Sequence, residues 1–252
     1  MSFEGVYRRL GVVIVEHALD EDRDLREMGR AFRDRRERTS ISHPQWGGET
    51  AAEIRPIAFK GIPTDLADWL ETHPVFLRLA SRLLAAPASL VHIRPVNEAN
   101  PAHWLMPWRQ MRQIAVAERY RLNGFRNWSE RDDAWLVEPP QWVLEQSVVL
   151  RVYLDNCRAF DGPVEVLTSS HKSGRLKRVE ISEAARDKRA LTCLCDRGDI
   201  LAVSPLALRR RHRASAIKQR RVLEMMFTAA TLPDPLAWPS LTPDLEDLPD
   251  FE

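Results

Sequence analysis

The 252-residue sequence predicts a mainly β domain: a jelly-roll-like core with a helical layer supplied by its N-terminal part. Three observations predict it. Helix-type periodicity is concentrated in the segments up to Leu84. From Leu90 onward, short runs rich in β-branched residues alternate with turns built on Gly, Pro and Asp. Hydrophobic residues make up 44% of the chain and charged residues 29%, the balance of a globular protein large enough for one substantial core.

Gly11–Val15 is short, apolar and β-branched, as a buried strand is. Asp20 can cap a helix over residues 21–36, along which Leu25, Met28 and Phe32 form one narrow apolar stripe. Residues 39–63 carry His43-Pro44, Gly47-Gly48, Pro56 and Pro63 and read as loop. Thr64 caps a short helix that puts Leu66, Trp69 and Leu70 on one face. His73-Pro74 starts a second, running to Leu84, with Val75, Phe76, Leu79 and Leu83 inward. Ser89–Val96 is the next strand. Residues 120–140 have few regular periods and contain Phe125, Trp128 and Trp135. A loop this long inside a compact domain is commonly an active-site cover, so this one is expected over the mouth of the barrel. Gln141–Gln146 reads as a helical turn and Val148–Leu154 as a strong strand. Phe160-Asp161-Gly162-Pro163 is a turn, Val164–Leu167 a strand and residues 169–174 a loop. Residues 179–190 are polar and give no defined element. Leu191–Cys195, Ile200–Ser204 and Arg221–Thr228 complete the strands, with Arg197-Gly198-Asp199 as a tight turn. The division expected is a single domain over residues 1–238, then a Pro-rich acidic tail over 239–252 lying on the surface.

Composition excludes several classes. A net charge of +1 argues against a nucleic-acid or anionic-membrane partner. Cys157, Cys193 and Cys195 are too few and too clustered for a disulfide framework, which favours a reducing, cytoplasmic location. The charged N-terminal stretch has no long apolar run, so neither a signal peptide nor a membrane span is expected. G-x-S-x-G, P-loop and dinucleotide fingerprints are absent.

The stretch Asn100–Arg121, centred on Pro107-Trp108-Arg109-Gln110-Met111, resembles the metal-binding segment of the phytanoyl-CoA dioxygenase family of Fe(II)/2-oxoglutarate oxygenases. That segment usually reads Pro-Trp-His-Gln-Asp, and its His and Asp are two of three iron ligands. The likeness runs through residues 8–238. It includes Leu150–Cys157, Asp161-Gly162-Pro163-Val164 through Gly174, Gly198-Asp199 through Leu208, and Arg220–Leu223. It implies a double-stranded β-helix with helices outside. It also implies that the ligand positions are Arg109, Met111 and, ten residues after Asp199, Arg209. An alternative register puts His212 at the third position. Arg220 would be the arginine that binds 2-oxoglutarate, with Arg221 as the fallback. A guanidinium has no free acceptor, and a thioether is a soft, weak ligand for Fe(II).

Several further residues have a plain structural reading beside a functional one. Arg209-Arg210-Arg211-His212-Arg213 can touch phosphates, or be a solvated strand edge or loop. Cys193 and Cys195 share a strand face, where core packing outweighs a metal pair. His92 and His103 flank the metal segment and are substitute ligands or ordinary rim histidines. His171 in its Ser/Lys/Gly loop reads as a structural hydrogen bond. Glu118 and Glu224 are the nearest acidic partners for the arginines.

The expected protein is therefore a family member without its iron site. It would be a non-oxygenase that binds a small anionic or carboxylate molecule through Arg109, Arg209 and Arg220, or a regulatory subunit paired with itself or with an active homologue. No cofactor is expected on that reading. Fe(II) and 2-oxoglutarate enter only under the alternative of an enzyme with unusual ligands around His212; metal-free chemistry in the same pocket is the other alternative.

Overall fold

The computed structural model describes residues 2–20, 22–32, 62–97, 106–131, 134–186, 190–211 and 220–240. Its N-terminal half runs α1 (Phe3–Leu10), β1 (Val12–Val15), α2 (Asp24–Met28), α3 (Thr64–Thr72), α4 (Pro74–Leu84), β2 (Ser89–Asn97), β3 (Met106–Arg109) and β4 (Ile114–Val116). There follow β5 (Arg126–Arg131), β6 (Ala134–Glu138), α5 (Gln141–Glu145), β7 (Ser147–Tyr153) and β8 (Val164–Leu167). The chain continues through α6 (Arg178–Ala184), β9 (Ala190–Cys193), β10 (Ile200–Val203), β11 (Arg209–Arg211) and β12 (Arg221–Thr228). The strands form a five-stranded sheet in the order β1-β10-β7-β12-β2, a four-stranded sheet β3-β11-β8-β9 and a three-stranded sheet β4-β6-β5. All the pairings are antiparallel.

Side chains alternate along each strand, and this splits the apolar residues into two layers. Leu150, Val152, Ile200, Leu223, Met225 and Phe227 face outward and bury against Leu66, Leu70, Phe76 and Leu79 of α3 and α4. Val149, Tyr153, Leu201, Val203, Val222 and Met226 face inward, toward Val164 and Val166 of the four-stranded sheet. The predicted mainly β architecture with outer helices is the one observed, and the space between the two larger sheets is where the site lies.

Four expectations change. The helix expected over 21–36 is only α2 and a following 3-10 turn, Gly29–Phe32, and the rest lies outside the described residues. Asp20 does not cap α2: its Oδ1 accepts from the backbone N–H groups of Asp22 and Arg23 at 2.9 Å each, in the turn ahead of the helix, and Arg23 holds the N-cap position. Pro63, not Thr64, holds the N-cap position of α3, and Thr64 is the first helical residue. The supposed loop over 120–140 is largely the β5–β6 hairpin, joined to β4. A register shift between Arg126 and Ser129, with Asn127 at φ 54°, breaks the period-two pattern that would have marked the strand. Trp128 and Trp135 pack against the inner core. Within residues 179–190, α6 forms without a single buried residue, so no apolar periodicity announced it.

Beyond β12, Leu232 and Leu236 are buried, and the Trp238 indole N–H donates to Ala230 O at 3.2 Å. Residues 241–252 lie outside the described residues. Among the described residues no helix is long and apolar enough to cross a membrane.

Helix α1 carries Ser2 at its N-cap and ends on Gly11, whose φ of 78° belongs to the left-handed region that glycine enters without strain. A Cβ on Gly11 would stand 2.4 Å from His171 Nδ1. His171 contacts Arg8 O through Nε2 at 3.2 Å, so it fastens the 170–174 turn to the end of α1. This is the structural role expected for it. Gly11→Ala should lower stability by about 1–3 kcal/mol from backbone strain together with that clash. Denaturant unfolding of Gly11→Ala in a His171→Ala background should show a smaller loss, because only the backbone part remains.

Candidate functional site

Each of three adjacent strands of the five-stranded sheet carries a charged residue on its inner face. Arg94 of β2 and Arg151 of β7 are both register partners of Glu224 on β12, between them. Glu224 is 2% exposed. Its Oε1 accepts from Arg94 Nη2 at 2.6 Å and its Oε2 from Arg151 Nη1, so each oxygen serves a different guanidinium. Burial alone would raise the Glu224 pKa. Arg94, then Arg151 and Arg209, outweigh it and hold the carboxylate below its ordinary range. His92 is on the same face of β2, opposite Met226. Burial, then the charge of Arg94, push its pKa down to about 3, so the imidazole is neutral at physiological pH.

The opposite wall brings together two residues singled out in the sequence. Arg209 of β11 is the register partner of Arg109 of β3. Residues directly opposite in an antiparallel pair have Cβ atoms about 4.5–5.5 Å apart, and like charges placed so repel. Arg209 is 6% exposed and Arg109 is half-buried. Burial, then Arg209 and Arg94, push Arg109 down to about 9. Burial, with Arg151 and Arg94 working against Glu224, brings Arg209 down to about 10. Arg209 Nη1 is a buried donor atom with no hydrogen-bond partner among the described residues. Arg211 is 2% exposed, so among the described residues of the basic run, 209–211, Arg210 alone is at a solvated edge. Arg210 points outward, over the Trp108 ring at 4.6 Å, and pairs with Glu165 at 2.6 Å.

Arg220, 3% exposed, immediately precedes β12 and falls on the inward side, in phase with Val222 and Glu224. Arg221, on the other face of the strand, is held by Asp155 through Nε at 2.9 Å and Nη2 at 2.7 Å. Met111 is buried in the inner core. Between Arg109 and Met111, Gln110 donates to Gly174 O and Leu206 O at 2.7 Å each and accepts from Leu176 N–H at 2.8 Å. It is a structural clamp. Glu118 is no partner for the arginines: it is exposed, accepts from the Tyr120 hydroxyl at 2.5 Å, and lines a shallow surface basin with Arg119, Arg121 and Trp135. Cys193 and Cys195 are core residues, together with Cys157, whose backbone pairs with that of Cys195. His103 and His212 lie outside the described residues.

Arg94 and Arg151 are the site residues that sequence reasoning missed. Their signal was available: Val-His-Ile-Arg-Pro-Val, Val-Leu-Arg-Val-Tyr and Val-Leu-Glu-Met-Met each place a charge inside an apolar strand, two Arg and one Glu in all. Among the described residues, no group of three or more His, Cys, Asp or Glu is arranged to hold a metal ion.

No protein-family model matches the chain, and no curated protein matches it in sequence. Solved structures do match it. The non-heme α-ketoglutarate-dependent epimerase SnoN from nogalamycin biosynthesis aligns over 98% of this chain and 88% of its own, with a TM-score of 0.57 and 18% identity. The carbocyclase SnoK of the same biosynthesis, also non-heme and α-ketoglutarate-dependent, aligns over 90% of this chain and 84% of its own, at 0.63 and 13%. EctD from S. alaskensis, solved with bound Fe, aligns over 90% and 75%, at 0.61 and 13%. At these identities the likeness establishes the fold: a mainly β, cupin-like double-stranded β-helix of the kind built by 2-oxoglutarate oxygenases.

Removing one partner of a buried ion pair leaves an uncompensated charge and costs about 3–5 kcal/mol. Glu224→Gln should destabilise the protein by about that amount in denaturant titrations at pH 7. Because the folded-state pKa of Glu224 lies below its unfolded value, this contribution is complete above the ordinary carboxylate range, begins to decline as pH falls into it, and is lost as pH falls on toward the lower folded-state pKa. The stability gap between wild type and Glu224→Gln should therefore narrow below about pH 4. An undiminished gap at pH 3 would show that the carboxylate is not what stabilises the row.

Proposed function

We propose that this chain is a phytanoyl-CoA dioxygenase-like protein whose His-x-Asp…His iron site is replaced by Arg109, Met111 and Arg209, and that it binds a small anionic molecule rather than acting as an oxygenase. It would serve as a regulatory or partner subunit, or as a binder in its own right. The observation that carries this reading is the register of β11 on β3, which sets Arg209 directly across from Arg109. Two positions assigned from distant parts of the sequence thus meet at one place, as positions of a shared site must. The spacing that selects Arg209 over His212 is supported by the same pairing.

The described donors do not suit a divalent cation. Arg109 and Arg209 have no lone pair to offer, and the Met111 thioether is soft. Both Glu224 oxygens are already taken by guanidiniums. His92 keeps a neutral ring, but it stands beside Arg94 in a region of positive charge. A field that repels a metal ion attracts an anion, and guanidinium forks match carboxylate and phosphate oxygens. Arg220 adds a further inward arginine. The alternative, an enzyme using this pocket without metal or with Fe(II) held by unusual ligands around His212, draws its support from the likeness in fold to the iron enzymes.

Two measurements test the reading. Protein purified with added Fe(II) should hold well under one equivalent of iron and should not decarboxylate 2-oxoglutarate. Citrate, succinate or 2-oxoglutarate should raise the melting temperature, by roughly 2.7 kcal/mol of stabilisation at a hundredfold excess over Kd, and Arg209→Ala should abolish the rise. Stoichiometric iron with turnover would establish the oxygenase alternative. The absence of any anion-dependent shift would remove the binding site.

A further inference from the structure

We propose that the space in front of Arg209, opposite Arg109, is a seat for a doubly charged tetrahedral oxyanion, a phosphate or sulfate group, free or carried on a small molecule. This rests on the anion-binding reading above and narrows it to one chemical class.

The argument starts from the carboxylate the protein already contains. Glu224 lies between two guanidiniums, and its two oxygens are divided between them, one each. The arrangement leaves the buried Nε of Arg94 without an acceptor. One carboxylate oxygen does not saturate the Arg94 fork. Each fork presents two parallel N–H groups, so two forks facing one another call for three or four acceptor oxygens in different planes. A tetrahedral oxyanion has them, and its second negative charge answers the second guanidinium.

Arg209 is where such a group is needed. It is 6% exposed, its Nη1 has no hydrogen-bond partner among the described residues, and a second arginine stands directly across the strand pair. Burying a guanidinium beside other cations is costly, and the group resists giving up its proton, so an anion is the available compensation. Glu224 is close enough to act on Arg209 through its field, yet both its oxygens are engaged elsewhere. The internal carboxylate therefore cannot fill the seat.

The test is thermal unfolding of the full chain with low-millimolar inorganic phosphate, sulfate, phenyl phosphate, acetate and succinate. Sodium chloride at matched ionic strength is the blank, which separates saturable binding from the general stabilising effect of phosphate and sulfate salts. Phosphate and sulfate should give saturable shifts reaching roughly 5–10 °C at a hundredfold excess over Kd, larger than those of either carboxylate. The sulfate shift should be flat between pH 5.5 and 7.5, whereas that of phenyl phosphate should grow as its second ionisation, near pH 6, is passed. A larger shift with phenyl phosphate than with phosphate assigns the group to a larger molecule; a smaller one assigns the free ion. Both support the seat.

Arg209→Lys keeps a charge but loses the fork and should lose more than half of the shift; Arg209→Met, similar in size and uncharged, should lose all of it. Because these are differences in ligand response, they remain readable if either variant has a lower starting melting temperature. Carboxylates that stabilise as well as or better than phosphate would overturn the tetrahedral seat and leave the anion-binding reading standing. An undiminished phosphate shift in Arg209→Met would overturn its location. No shift with any anion would overturn both.

Discussion

The Glu224 carboxylate, shared between Arg94 and Arg151, is the interaction on which the interior of this protein depends. It spans β2, β12 and β7, three adjacent strands of the larger sheet, and is buried to 2% exposure. A guanidinium taken out of water costs far more than a surface ion pair returns, and it is retained only where acceptors meet it. Without Glu224, Arg94 and Arg151 would face His92, Arg209 and each other with no carboxylate between them among the described residues. Replacing the whole row with apolar side chains would be at least as stable in principle, because buried ion pairs rarely surpass well-packed hydrocarbon. Its presence is thus better explained by what it does for the electrostatics of the interior than by what it adds to stability.

That electrostatics is one-sided. Glu224 holds Arg94 and Arg151 in place and consumes its own charge in doing so, while Arg209 and Arg220 reach the same interior from other elements. The outer face has the opposite design. Arg210 has Trp108 and Glu165, Arg221 has Asp155, and Arg112 has Glu138, each within hydrogen-bonding distance of its carboxylate. The sequence therefore supplies near-equal numbers of acids and bases, as the net charge of +1 requires, but distributes them unevenly across the two faces of the same strands. A neutral total hides an interior in which the described arginines outnumber the carboxylate that meets them.

The fold was largely legible because the strands obey a simple period. Val148–Leu154 and Arg221–Thr228 alternate between two buried faces, so they read as near-continuous apolar runs, and both are central strands. The hairpin at 126–138 was illegible for the opposite reason: a bulge at Asn127 shifts its register, and its aromatic residues rest on the core from one side. Helix α6 buries nothing and so left no trace. In the site, Arg109 and Arg209 were found through a resemblance in motif and spacing, and the register on β3 places them together. Arg94 and Arg151 match no motif. They are visible only once strand pairing sets them beside Glu224, 130 and 73 residues away in sequence. A single charge within an apolar strand is weak evidence; three such charges on neighbouring strands, with signs that complement one another, are not.

Gln110 shows how one short segment can separate packing from the charges that face the interior. Its side chain makes three buried hydrogen bonds to backbone groups of Gly174, Leu206 and Leu176, and so ties the end of β3 to the turn before α6 and to the segment before β11. Arg109 and Met111 flank it. Arg109 is directed to the interior arginines and Met111 into the apolar core, so neither contributes to that clamp. A change at either flanking position alters the interior without loosening the joint, whereas a change at Gln110 would leave three buried polar groups without partners. Fold and site thus occupy alternate residues of the same short segment. That separation allows the segment to hold its place in the fold through Gln110 while Arg109 stands beside Arg209 on the neighbouring strand.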